Sequence, residues 1–213
     1  MELLSRASAF LLIFILSPLF IIISILSIIF QGFPIFFKQN RVGKNFNIFQ
    51  IVKFRTMISN NGQKITAIND KRITRWGFIL RKFKIDELPQ LFNIIKGEMR
   101  FIGPRPEVPE YFNQHEFKFL NIVKPGISDF SSIMLRNEDV ILRTIGGDNP
   151  YETLLPVKVQ LANYYSNNKS LILDLKLVIL TIISIFFPNY ASKLLINSDL
   201  VSIAPDLKKI LIK

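Results

Sequence analysis

The sequence predicts a mostly helical α+β chain, with a membrane-embedded N-terminal helix over residues 1–34 and a small cytoplasmic domain over residues 35–213. Three features predict it: an uncharged, overwhelmingly apolar run from Ala7 to Phe30, a strand-like stretch from Ile35 to Phe54 broken by turn residues, and short amphipathic segments beyond. With 213 residues and a net charge of +11, the chain has room for one domain plus an anchor and favours anionic partners. It contains no cysteine and one histidine, His115, which excludes disulfides, thiolate nucleophiles, cysteine zinc sites and histidine clusters. Chemistry must come from Asp, Glu, Lys and Arg. No motif of interleaved aromatic and basic residues supports nucleic acid as the partner, which leaves anionic membrane lipids and phosphorylated substrates.

The apolar run exceeds the ~20 residues that cross a bilayer core. A cleaved signal peptide is not expected, because the run is too long and no small-x-small site precedes Lys38. Lys38, Arg41, Lys44 and Lys53 follow it and put the bulk of the chain in the cytoplasm by the positive-inside rule. Ser17-Pro18 lies at its centre, where proline deletes a backbone donor and clashes with the carbonyl four residues earlier. These residues leave two outcomes open: a kinked helix that crosses once, and a helix-break-helix that returns to the same face.

Gly32 and Pro34 end the run. Ile35–Gln39 and Phe46–Phe54 read as an antiparallel hairpin turning through Val42, Gly43, Lys44 and Asn45. Alternation puts Phe49, Ile51, Lys53 and Arg55 on one face, so two cations would project together. Ser59–Asn69 is a polar loop, and Asp70–Lys82 reads as a basic amphipathic helix with Trp76, suited to anionic lipid or to covering a core. A short helix follows, with Asp86 as N-cap, Pro89 in its first turn and Gly97 as C-cap.

Beyond it, a helix over Tyr111–Phe119, a turn at Pro125-Gly126 and a short helical stretch between Arg136 and Pro150 are expected. Leu171–Phe187 is apolar but carries Asp174 and Lys176, each costing about 2.5–3.5 kcal/mol at a bilayer centre. It therefore reads as an in-plane or domain-packed helix stopped by Pro188, with a mixed tail from Asn189 for peripheral membrane contact.

The strongest chemical signal is Ile85-Asp86-Glu87-Leu88-Pro89-Gln90, preceded by Arg81 and Lys82 and followed by Gly103-Pro104-Arg105-Pro106. Adjacent carboxylates among cations suit phosphoryl chemistry: one can attack phosphorus or hold a metal while the cations neutralise phosphate oxygens. A helix start also favours anions, though capping alone accounts for an isolated Asp-Glu pair. The two prolines hold Arg105 on a stiff extended turn, suited to bidentate phosphate binding.

In their order and spacing, several motifs together resemble those of the bacterial sugar transferase family, the monotopic phosphoglycosyl transferases. They are Ser17-Pro18, Gln39-Asn40-Arg41-Val42-Gly43, Lys53-Phe54-Arg55-Thr56-Met57, Asp70 through Arg81, Ile85 through Asn93, Gly97 through Pro106, and Lys124-Pro125-Gly126-Ile127. The resemblance implies an enzyme of the bacterial inner membrane that moves sugar-1-phosphate from a nucleoside diphosphate sugar, with UDP the expected nucleotide, to polyprenyl (undecaprenyl) phosphate. Such a step starts lipid-linked glycan synthesis and hands its product to downstream glycosyltransferases. The resemblance makes Asp86 the nucleophile of a covalent phosphosugar intermediate and a ligand of the family's magnesium (Mg2+), with Glu87 orienting the metal or handling a proton. Lys53, Arg81 and Arg105 fall within the motifs and are the expected phosphate contacts, with Arg55, Arg75 and Arg136 second. It also favours the re-entrant form of the N-terminal helix. The alternative is a non-catalytic membrane scaffold for glycan assembly. Two departures lie in the C-terminal third: Ser128-Asp129-Phe130-Ser131-Ser132 replaces a Thr-Gly and Trp-Ala-Gln pattern, and Leu161-Ala162-Asn163-Tyr164-Tyr165 lacks an acid common there.

Overall fold

A computed structural model describes residues 2–58, 72–147 and 149–196. The polar loop expected over 59–69, the expected helix start at Asp70 and the basic end of the tail lie outside the described residues.

The chain opens with α1, Glu2–Gln31, a single unbroken helix where a helix-break-helix was expected. Pro18 lies inside it, and the Ser17 hydroxyl donates to the Phe14 carbonyl at 2.8 Å, one turn back. Proline removes one donor, but thirty residues of apolar chain supply enough flanking hydrogen bonds to carry the helix through. Most of its apolar side chains are exposed, while Ala9, Ile23 and Ser27 are buried against the rest of the molecule. It is the one helix among the described residues long and apolar enough to cross a membrane.

The hairpin is present as β1 (Phe36–Val42) and β2 (Ile48–Phe54), antiparallel, with Phe36 opposite Phe54 and Val42 opposite Ile48. The first strand starts one residue later and ends three later than expected, because pairing extends to the turn at Lys44–Phe46, and the second starts two later. The basic helix, α2 (Arg75–Lys82), starts five residues later than expected. Ile73 is in a β-bridge with Met57, and Thr74 caps the helix by accepting from the Gly77 amide at 2.8 Å. A 3₁₀ turn over Ile85–Gln90 leads into α3 (Leu91–Lys96), which ends at Gly97 in the left-handed conformation expected of a C-cap, φ 80°.

Next come β3 (Arg100–Ile102) and β4 (Gly126–Ser128), a short parallel pair with Arg100 opposite Gly126. Pro125-Gly126 was expected only to turn; it also starts this strand. A Cβ on Gly126 would lie 2.2 Å from the Gly103 nitrogen, so only glycine lets the strands close this tightly. No continuous helix forms over Tyr111–Phe119, in contrast to expectation. Pro109–Tyr111 and Lys118–Asn121 are 3₁₀ turns, and the Asn113 side chain accepts from the His115 amide, replacing a helical bond.

The rest is helical: α4 (Phe130–Met134), α5 (Glu138–Ile145), α6 (Pro150–Asn168), α7 (Leu171–Phe186) and α8 (Pro188–Leu195). The long helix α6 was not foreseen, because Pro156 and a weak apolar stripe hide it in sequence. Pro188 does end α7, but it also starts α8 as the first residue of a new helix. Leu154, Leu161 and Tyr165 of α6 form the centre of the main core with Leu120, Ile133 and Leu177. Two smaller cores join α1 to the domain: Ala9 with Ile51, Leu91 and Ile94, and Ile23 with Phe54 and Leu80.

Candidate active site

Asp86 and Glu87 sit in the Ile85–Gln90 turn, wedged between β2 and α2. Asp86 is not the N-cap expected of it; Lys84 occupies that position with a left-handed backbone, φ 57°. A lysine in this region is strained. The tight reversal it makes carries Ile85 back onto the core of Ile23, Phe54 and Leu80, which buries the two carboxylates that follow.

Strand β2 supplies the facing wall. Alternation puts Phe49, Ile51 and Lys53 towards the turn and α3, and the Lys53 ammonium donates to Glu87 Oε1 at 2.9 Å. Arg55 does not join it, contrary to the expected pair of cations, since it lies past the strand end. Its guanidinium donates to the Gln31 carbonyl and, at 2.7 Å, to the Gly32 carbonyl, closing the C-terminus of α1. The free edge of β2 is held by Asn93: its Oδ1 accepts from the Val52 amide and its Nδ2 donates to the Gln50 carbonyl.

The Gly103–Pro106 loop lies opposite and brings Arg105 onto the same carboxylate, Nη2 to Oε1 2.8 Å. Its backbone is fixed on several sides. The Gly103 amide donates to the Ser128 carbonyl, the Arg105 amide to Asp129 Oδ2, and Arg41 Nη1 to the Pro106 carbonyl. The divergent Ser128-Asp129 segment thus supports the loop that carries Arg105. Glu107 extends the support, accepting from the Tyr151 hydroxyl and lying 3.6 Å from Arg41.

The two neighbouring carboxylates are electrostatically opposite. Burial pushes Glu87 up, but Arg105, Lys53 and Lys84 (the last at 4.0 Å) outweigh it and hold its carboxyl well below the usual range. Burial, reinforced by the Glu87 charge, raises Asp86; Lys53, Lys84 and Arg81 oppose it. Asp86 is 6% exposed, and its Oδ1 is buried without a hydrogen-bond partner among the described residues. Burial lowers Lys53 to about 8, against the Glu87 charge and with help from Arg105.

Of the expected phosphate contacts, Lys53 and Arg105 converge on Glu87, while Arg81 donates to the Thr56 hydroxyl at 3.0 Å and lies within electrostatic reach of Asp86. Arg136 donates to the Lys82 carbonyl and its charge reaches both carboxylates, whereas Arg75 is exposed on α2. Sequence reasoning missed Lys84 as a site cation and the supporting roles of Asn93 and Asp129. Lys84 was there to be found, two residues before Asp86; the other two depend on folding.

Among the described residues no three His, Cys, Asp or Glu side chains converge as a metal cage. Magnesium needs no such cage: it keeps several waters and takes one or two carboxylates plus substrate phosphates. The unpartnered oxygen of Asp86 fits that mode.

The model of the family described as bacterial sugar transferase matches residues 2–188. The chain is 36% identical over 174 residues to the UDP-N-acetylgalactosamine-undecaprenyl-phosphate N-acetylgalactosaminephosphotransferase of Aeromonas hydrophila, covering 78% of this chain and 38% of that protein. It is 37% identical over 154 residues to the uncharacterized sugar transferase EpsL of Bacillus subtilis, covering 71% and 69%. To the exopolysaccharide production protein ExoY of Rhizobium meliloti it is 34% identical over 196 residues, covering 83% and 80%. The chain thus spans well under two thirds of the Aeromonas protein and most of the other two.

Proposed function

The chain belongs to the bacterial sugar transferase family, and from that premise we propose that it is a phosphoglycosyl transferase. It moves sugar-1-phosphate from a nucleoside diphosphate sugar, with UDP as the nucleotide, to undecaprenyl phosphate, and so initiates a lipid-linked glycan. One observation carries this reading: in a buried carboxylate pair, one member gathers the cations while the other keeps an oxygen without a partner among the described residues.

In the first step an Asp86 carboxylate oxygen attacks the sugar-bearing phosphorus. The new P–O bond makes an aspartyl phosphosugar, and the bond from that phosphorus to the bridging oxygen breaks, its electron pair leaving with the nucleoside monophosphate. In the second step a phosphate oxygen of the polyprenyl acceptor attacks the same phosphorus and Asp86 leaves as carboxylate. A carboxylate meets a dianionic diphosphate only if cations remove the repulsion. Lys53, Lys84, Arg81 and Arg105 are the cations around the pair. Magnesium, held by Asp86 and substrate phosphate oxygens, would supply further charge neutralisation when bound. Glu87 is held ionised, so its task is to hold Lys53 and Arg105 in place; it is not a proton carrier at neutral pH.

Purified protein offered a panel of nucleoside diphosphate sugars with undecaprenyl phosphate is expected to release nucleoside monophosphate with at least one UDP-sugar, only when the acceptor or enough enzyme to trap is present. No release across the panel would leave the scaffold reading in its place.

The same proposal puts the domain on the cytoplasmic face of the inner membrane, with α1 embedded and both its ends on that face. Support comes from contacts at each end of α1: Arg6 Nε donates to the Ile95 carbonyl at 2.7 Å, and Gln31 Nε2 donates to the Arg55 carbonyl at 3.0 Å. A helix about 45 Å long, tied to one domain at both ends, lies along that domain and does not lead away from it across a bilayer. Glu2→Cys is therefore expected to stay unlabelled by a membrane-impermeant thiol reagent in intact cells; labelling from outside would show a crossing helix.

A further inference from the structure

Where the first turns of α1 meet the start of α7, the surface opens into a groove of about 180 Å³. Its walls are Leu4 and Ser5 of α1, Phe101 of β3, and Leu171, Leu175 and Val178 of α7. Leu4, Leu171 and Leu175 are each more than half exposed, and they continue into the exposed apolar stripe of α7 formed by Ile172, Ile179 and Ile182. Contiguous apolar surface of this kind is not left to water.

The groove is not uniformly apolar. Arg100 forms part of its lining, and Lys169 lies just before α7, close enough to feel the charges of Arg100 and Asp174. Asp174, the acid of the groove, is already engaged: its Oδ1 accepts from the Tyr165 hydroxyl at 2.7 Å, and its contact with Arg100 is long, 3.9 Å. Two cations therefore share one acid that is also engaged by a tyrosine. The Ser5 hydroxyl is buried here with no hydrogen-bond partner among the described residues. An apolar slot with a cationic mouth and an unused hydroxyl matches an amphiphile with an anionic head.

We propose that this groove binds one anionic glycerophospholipid, an acyl chain lying between α1 and α7 and the headgroup phosphate resting at Arg100 and Lys169. The occupant is a structural lipid and not the polyprenyl acceptor, because the groove is remote from Asp86. Ile85 packs with Phe20 and Ile23 of α1, whereas the groove lies on residues 4–8, about 18 Å away along the helix axis. The bound lipid would fasten the start of α1 to α7 and set the depth at which the domain rides on the bilayer. This site stands whether or not the proposed reaction is right.

Native mass spectrometry of the full chain released from nanodiscs tests it, with phosphatidylglycerol and phosphatidylcholine as separate probes. The expected result is one retained phosphatidylglycerol per chain and no retained phosphatidylcholine. Retention should fall about fivefold for each of Arg100→Gln and Lys169→Gln, since a surface cation near lipid phosphate contributes roughly one such factor. Leu175→Trp, which fills the slot and leaves the charges alone, should abolish it. Asp86→Asn should retain the lipid as the unaltered chain does. Equal retention of the two lipids, unchanged retention in all three groove variants, or displacement of the lipid by undecaprenyl phosphate would each overturn the proposal. Arg100→Lys, which keeps the charge, should restore most of the binding if a fold defect is not the cause.

Discussion

Asp86→Asn is expected to yield a folded, membrane-bound protein whose turnover falls by at least ~10³-fold and which traps no labelled phosphosugar. Asp86 contributes little to holding the fold together. Its Oδ1 has no hydrogen-bond partner among the described residues, and burial together with the Glu87 charge raises its pKa, so its ionised form is unfavourable in the folded state. A neutral amide of nearly the same shape removes that cost, so the melting temperature should hold or rise. Loss of function without loss of stability is the signature of a group kept for chemistry. Persistence of turnover and of trapped phosphosugar in Asp86→Asn would sink the nucleophile assignment.

The neighbouring carboxylate should behave in the opposite way. Glu87→Gln leaves Lys53 and Arg105 facing each other with no anion between them, and removing one partner of a buried ion pair costs about 3 kcal/mol or more. Unfolding by denaturant should show that loss, and turnover should fall about 10²-fold as Arg105 drifts from its place.

A pH profile separates this from simple destabilisation. Lys53, at about 8, should give the unaltered enzyme an alkaline limb near that pH, because above it the lysine is neutral and the site loses a cation. The Glu87 charge raises Lys53 against the larger effect of burial, so its removal should move the limb to lower pH. A limb that stays in place, or moves up, would show that Lys53 is not the titrating group. The double variant Lys53→Met, Glu87→Gln should regain part of the stability without regaining turnover.

The contrast between these two residues was only half legible in the sequence. Asp86 and Glu87 stand out as adjacent carboxylates among cations, and the pattern of motifs around them is specific enough to suggest the family. The sequence does not distinguish their environments. A sequence-based N-cap at Asp86 would have exposed it; the left-handed Lys84 instead turns Ile85 into the core and buries both carboxylates. Similarly, strand alternation correctly faces Lys53 inward, but where β2 ends decides that Arg55 closes α1 and does not join the site.

Other misreadings have the same origin. A helix over Tyr111–Phe119 satisfies local propensity, yet Phe117, Phe119 and Leu120 are drawn into the main core by contacts with distant segments, and two 3₁₀ turns meet that demand. The helix α6 was overlooked because its burial on several sides erases the one-sided stripe by which a surface helix is read.

By itself the sequence determined the apolar N-terminal helix, the antiparallel hairpin, the stiff Arg105 loop and the acid pair, because each follows from local rules: apolar length, alternation, proline geometry and charge. Only the tertiary structure decided which carboxylate collects the cations, that Asp129 holds the Arg105 backbone, and that α1 lies along the domain from end to end. Those outcomes depend on residues 18 to 89 positions apart meeting, and at the carboxylate pair on burial in a medium of low polarity, where one charge more or less sets the protonation and partner of its neighbours.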